Sequence, residues 1–306
     1  MQVSLLIKTT GTMALLFAST LTVAEWRTGE GRLLATAGVT TIDGTAGGGI
    51  VPMAVLAGYG TEDQHGGSVS ASRLDTQNFA LRAFSAAWSW NNRIELSVAR
   101  QELNISTFAP LDGEQLRSNS YGAKLRLTGD ILYSRMPQIA IGALYRDTIN
   151  PRLAALANNS VPDALGARER HGVDVYLAAT KVFLGGPFGR NWVVNGVLRH
   201  SKANQGGLVG FGGDRDNGYS LLGEASVGAF LNRHWLLGTE YRQHPDNLSA
   251  FSQDDWADIF LAWFPNKRWS VTAAWVALGE FSTPAIPYNN DDRNQSGAYL
   301  SLTGAF

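Results

Sequence analysis

From Ile50 onward the chain falls into segments of about ten residues written largely in alternation. In SGAYLSLTGAF (296–306), Ala298, Leu300, Leu302, Gly304 and Phe306 share one parity, and Gly297, Tyr299, Ser301, Thr303 and Ala305 share the other. Successive side chains of a strand point to opposite faces, so this reads as a strand with one apolar and one wetter face. Trp269, Val271, Ala273, Trp275 and Ala277 repeat the pattern, as do Trp192, Val194, Gly196 and Leu198. In YGAKLRLTG, Tyr121, Ala123, Leu125 and Leu127 oppose Lys124 and Arg126. Twelve such segments are expected: 51–60, 79–90, 93–106, 117–129, 138–147, 171–183, 191–203, 218–230, 234–244, 255–264, 268–279 and 295–306. Each is near the roughly 9–11 residues that a tilted strand needs to cross a bilayer.

The connections alternate in length. Short ones fall at Asn91-Asn92, 130–137, 185–189, 231–233 and 265–267; long ones at 61–78, 107–116, 148–170, 204–217, 245–254 and 280–294. Outer-membrane barrels have this asymmetry, with tight periplasmic turns and longer outer loops. Trp88, Trp90, Trp192, Trp235 and Trp269 fall near strand ends, where an interfacial girdle would lie. The expected fold is therefore all-β: an antiparallel transmembrane β-barrel of about twelve strands, in the outer membrane of a Gram-negative bacterium. A closed barrel has no free edge, which explains a last strand carrying neither charge nor proline. Its terminal Phe306 resembles the signal read by barrel assembly machinery, with Gly304 standing where a second aromatic is common.

Composition sharpens this picture. Charged residues make up 17% of the 306, against about 25% in soluble domains. A net charge of -1 gives a nucleic-acid partner no electrostatic support, and the absence of Cys excludes thiolate chemistry and disulfides. The start, MQVSLLIKTTGTMALLFASTLTVAEW, has one early cation, Lys8, and an apolar run from Met13 to Ala24 that is too short to span a membrane. Residues 1–24 read as a signal peptide cleaved before Glu25. The expected division is 1–24 signal peptide, 25–50 Gly-rich segment (a strap, a strand or a plug), and 51–306 barrel.

The Gly-rich stretch GRLLATAGVTTIDGTAGGGIVPMAVLAGYG (31–60), with IELSVARQ (94–101), resembles an uncharacterised proteobacterial family of outer-membrane proteins, domain of unknown function 3034. The resemblance is clearest over the first third of the chain. It implies an outer-membrane location and carries no activity or catalytic residues.

By parity, the charged residues facing the lumen are Glu95, Lys124, Arg126, Asp174, Arg199, Glu224, Glu240, Arg242 and Asp258. On the lipid face at mid-depth, Arg or Lys would cost about 2–4 kcal/mol. These residues either form a charged constriction that selects solutes or fill the interior as ion pairs. Arg100 departs from the pattern, sharing parity with Ile94, Leu96 and Val98, and is read as lying past the membrane boundary or after a bulge. Candidate enzyme chemistry is thin. His200 and Ser201 are adjacent and point to opposite faces, against a Ser-His hydrolase. His244 and Asp246, with Asp254 and Asp255, faintly resemble a rim protease. No metal-ligand spacing, cofactor motif or catalytic set emerges, so the chain is not read as an enzyme. The leading function is a passive channel for small polar or amphipathic solutes. A structural or adhesive barrel with a filled ionic lumen is the alternative, and an outer-rim hydrolase a minor one. Outer-membrane lipid, small solutes and the assembly machinery are the expected partners.

Overall fold

The computed structural model describes residues 31–105, 114–150, 152, 156, 158–250, 252–280 and 294–306, with residue 38 excepted. The proposed cleavage site and most of the loops at 107–116 and 280–294 lie outside the described residues.

Two short strands, β1 (Val39–Thr40) and β2 (Ala46–Gly47), form a small hairpin. Twelve more close into an antiparallel barrel: β3 (His65–Thr76), β4 (Ala80–Trp90), β5 (Ile94–Asn104), β6 (Gln115–Thr128), β7 (Gln138–Thr148), β8 (His171–Phe183), β9 (Asn191–Ser201), β10 (Ser220–Asn232), β11 (Trp235–Arg242), β12 (Trp256–Trp263), β13 (Trp269–Glu280) and β14 (Asn294–Ala305). Closure is between β14 and β3, in the register Gly297↔Thr76 through Ala305↔Ser68. Every barrel strand therefore has two neighbours, and no backbone edge is left facing lipid.

Parity is obeyed around the wall. Val69, Phe84, Val98, Ile259, Trp275 and Leu300 are exposed on the outside, while Ser72, Ser97, Asp258, Thr272 and Ser301 are buried inside. An apolar exterior around a polar interior is the arrangement of a membrane barrel. At the tight-turn end, Trp235 stacks on Trp263 with ring centroids 5.8 Å apart, and Trp88 lies against Phe306 at 5.2 Å. The connection 91–93 is tight: Asn91 and Asn92 both have positive φ, 51° and 46°, and the Arg93 amide donates to the Trp90 carbonyl at 2.8 Å.

The first expected strand is overturned. Residues 51–60 are not in the wall. They are buried on all sides, and the first wall strand, β3, lies in the stretch read as a long outer loop. The connection that follows, 77–79, is short. The strand count of twelve survives because one strand is lost and one gained. The barrel begins at His65, and the misreading has a physical cause. VPMAVLAGYG offers a short apolar run that periodicity alone cannot assign, whereas HGGSVSASRLDT is small and polar on its inner parity and carries Arg73 and Asp75 on its outer one.

Candidate functional site

The barrel interior is occupied by the chain itself. Residues 39–60 run through it and are held by side chains from around the wall. Glu95 accepts hydrogen bonds from the amides of Ala46 (3.1 Å) and Ala57 (2.8 Å). Its cross-strand partner Lys124 donates to the carbonyls of Ala46 (2.7 Å) and Val55 (3.0 Å), and the two side chains pair at 3.3 Å. This couple ties both ends of the 46–57 stretch to β5 and β6. From the other side, Glu240 accepts from the Ile50 amide at 2.8 Å and Arg242 donates to the Ile50 carbonyl at 3.1 Å. Thr180 accepts from Ala54 N (2.8 Å), Gln138 donates to the Ala54 carbonyl (2.6 Å), and Asn195 donates to the Pro52 carbonyl (3.1 Å). Irregular backbone at membrane depth is tolerated only where its polar groups find partners, and these side chains supply them. A Cβ on Gly48 would lie 1.7 Å from the Glu240 carboxylate, so a larger residue there would displace the side chain that holds Ile50.

Above this segment lies a closed ion cluster. Asp43, on the turn between β1 and β2, pairs with Arg146 (2.8 Å) and Arg242 (2.9 Å). Arg146 also pairs with Asp174 at 2.5 Å. Arg199 binds Glu224 and lies 3.5 Å from Asp174, and Arg242 reaches Glu224 at 3.5 Å. Three guanidiniums thus face three carboxylates, all nearly fully buried. Asp43 is thereby held between two guanidiniums, buried with them away from water. Glu240 and Asp258 face each other across β11 and β12 without a cation paired to either among the described residues.

The outer end is closed by residues 202–213, which fold inward and are nearly all buried. Thr148 donates to the Gly207 carbonyl (2.5 Å), Trp256 Nε1 to Gln205 (3.1 Å), and Asn247 to Asn204 (2.9 Å). At the tight-turn end the lumen instead widens into an apolar chamber of about 490 Å³ between the N-terminal segment and the wall. Leu34, Met53, Val182, Leu236 and Phe260 help line it, and Arg190, Asn191, Asn232 and Arg233 stand at its mouth.

The structure places the sequence candidates as follows. Asp174, Arg199, Glu224 and Arg242 meet in the ion cluster, Glu95 and Lys124 form the clamp, and Glu240 and Asp258 form the acid pair. Arg126 stands apart at the tight-turn rim, donating to the Gly129 carbonyl at 2.7 Å and lying 3.7 Å from Asp130. Two members of the cluster escaped sequence reasoning. Arg146 shares the inward parity of Ala140 and Leu144, a signal present in the sequence. Asp43 lies in a segment with no strand pattern, and nothing local marks it.

The hydrolase geometry does not form. His244 is buried against Trp256 with ring centroids 4.4 Å apart, and its ring nitrogens have no hydrogen-bond partner among the described residues. Burial, then Arg242 and Arg199, hold its imidazole well below the usual value. Asp246 is drawn away to Arg215. His200 stacks outward on Tyr219 while Ser201 donates inward to Asp174.

A model of the family described as "Protein of unknown function (DUF3034)" matches residues 36–303. No curated protein matches the chain. Among solved structures, KdgM porin is similar at 9% identity, covering 78% of this chain and 99% of that one, with a TM-score of 0.46. The Acinetobacter baumannii outer membrane protein Omp33 is similar at 11% identity over 79% and 98%, TM-score 0.43. Outer membrane phospholipase A from Escherichia coli is similar at 10% over 78% and 95%, TM-score 0.39. At these scores the likenesses decide neither mechanism nor solute.

Proposed function

Starting from a chain that belongs to the DUF3034 family of proteins of unknown function, we propose a Gram-negative outer-membrane channel for small polar or amphipathic solutes, held closed by its own residues 39–60. The observation that carries this reading is the way that segment is held. Its backbone is bonded to the wall mainly by side chains at discrete points, with the Tyr59 amide on the Phe306 carbonyl and Asp43 ion-paired to Arg146 and Arg242, and among the described residues its own pairing is limited to the β1–β2 hairpin and a Gly47–Pro52 bridge. A segment held by side-chain contacts, and not by a strand ladder with the wall, can leave while the wall's own pairing stays intact, at the cost of its charged anchors and the Asp43 ion pairs. The apolar chamber supports the amphipathic end of the solute range. Its size falls in the ~300–1,000 Å³ of small-molecule sites.

Planar-bilayer conductance tests this. The wild-type protein should open rarely. Glu95→Ala combined with Lys124→Met, which removes the clamp, should raise the open fraction by about tenfold or more, since two charge-assisted anchors are lost. The chain has no Cys, so Ala54→Cys with Thr180→Cys gives a clean tether between segment and wall. The oxidised tether should abolish openings and reduction should restore them. Silence in all variants would favour the second reading, a barrel whose balanced ion cluster fills it permanently.

We also propose that Phe306 is read during insertion by barrel assembly machinery. It lies on the outward parity of β14, against Trp88. Phe306→Asp should lower outer-membrane yield and the folded band on heat-modifiable gels, whereas Ser301→Ala, inside the barrel, should leave yield near normal.

A further inference from the structure

Arg100, the residue that breaks the parity rule for charge, has company. It faces outward from β5, more than half exposed, and pairs with Glu102 at 2.9 Å. Arg73 on β3, Arg82 on β4 and Arg117 on β6 are exposed on the same outer surface. The register aligns them: Arg73 lies opposite Arg82, Arg82 opposite Glu102, and Glu102 opposite Arg117. Asp75 pairs with Arg73 at 2.6 Å. Four guanidiniums on four adjacent strands are thus met by two carboxylates. Neither Arg82 nor Arg117 has a carboxylate within ion-pair distance among the described residues. Like charges directly opposite across strands destabilise a sheet, yet Arg73 and Arg82 are so placed. The rest of the wall differs: among the described residues, β9 to β14 carry no outward-facing Arg or Lys. Below the arginines the same strands present Val69, Phe84, Val98 and Tyr121 to lipid.

We propose that this patch binds the phosphate groups of a phosphorylated lipid in the outer leaflet, whose acyl chains lie on the apolar surface beneath. The arginines sit toward the strand ends away from the tight turns, which is the outer side in such barrels. Guanidinium forks bind phosphate oxygens in pairs, and that chemistry fits two cations left without a carboxylate. The apolar strip directly below favours a lipid over a free anion. The inference rests on the barrel's orientation and not on whether the lumen conducts.

The test uses the full-length protein in detergent and bisphosphorylated lipid A, with binding read by native mass spectrometry. Arg82→Gln with Arg117→Gln should weaken binding by at least about tenfold, as expected when charge-assisted contacts are lost. Arg135→Gln with Arg268→Gln, both exposed at the tight-turn end and outside the chamber, should leave it unchanged. Dephosphorylated lipid A should bind the wild type as weakly as the intact lipid binds the double variant, a comparison that stands even if that variant folds poorly. Equal binding of the two lipids would overturn the proposal, as would full retention by the Arg82/Arg117 variant or equal loss in the control pair. Displacement of lipid A by inorganic phosphate would assign the patch to free anions and also overturn it.

Discussion

Replacing Arg146 by Met should destabilise the folded barrel by about 3–5 kcal/mol, the usual cost of removing one partner from a buried ion pair. Arg146 is fully buried and is the link between Asp43 on the inner segment and Asp174 on the wall. Without it, Asp43 keeps Arg242 at 2.9 Å as its ion-pair partner, with Gln101 donating to it at 3.1 Å, and Asp174 keeps Arg199 at 3.5 Å. Three carboxylates would then share two guanidiniums away from water. Arg146→Lys should recover little, because one ammonium cannot replace a planar fork that reaches two carboxylates at once. Adding Asp43→Asn to Arg146→Met should recover part of the loss, since it removes the orphaned charge, so the two changes will not be additive. Arg73→Gln is the contrast. That pair with Asp75 is about half exposed, and its loss should cost far less. Urea midpoints followed by heat-modifiable migration measure all four. A midpoint for Arg146→Met equal to that of Arg73→Gln would mean that the cluster contributes nothing to holding the fold.

The wall was legible in the sequence and its contents were not, for one physical reason. A wall strand between lipid and lumen must alternate, so β8 over His171–Phe183 and β14 over Asn294–Ala305 could be read nearly to the residue. A segment inside the lumen touches protein on every side and obeys no period. Thus 51–60 mimicked a strand, and Asp43 looked like any acidic residue in a Gly-rich stretch. The candidate site was half visible for the same reason. Every charge read as inward on the wall, Arg126 excepted, is deeply buried, but its partner on the segment could not be named. Arg100 taught the converse. Parity reported its direction correctly. With Arg73, Arg82 and Arg117 beside it, the exception belongs to a patch.

The glycines of the inner segment had no assigned purpose in the sequence, and one of them carries the second large expectation. The chain leaves the lumen and enters β3 by doubling back on itself between residues 58 and 67. Gly58 has φ +76°, and a Cβ on it would lie 2.1 Å from the Gly67 amide and 2.5 Å from the Phe306 carbonyl. Both are backbone atoms already engaged, since Gly67 donates to Phe306 at 3.0 Å, in the seam where the barrel closes. Neither can move aside without opening that seam. Gly58→Val should therefore cost more than the roughly 1–2 kcal/mol of a left-handed residue alone, because the overlap adds to the strain. Gly185 separates the two contributions. It also has positive φ, +64°, but a Cβ there would meet nothing within 4 Å. Gly185→Val should show only the backbone strain. The expected order is a large drop in folded fraction for Gly58→Val and a small one for Gly185→Val, read by heat-modifiable migration and urea midpoint. If Gly58→Val leaves the wall folded but raises conductance, the reversal is needed to seat the inner segment and not to close the barrel. Equal midpoints for the two variants would show that backbone conformation alone explains Gly58 and that the close approach to β3 is not a constraint.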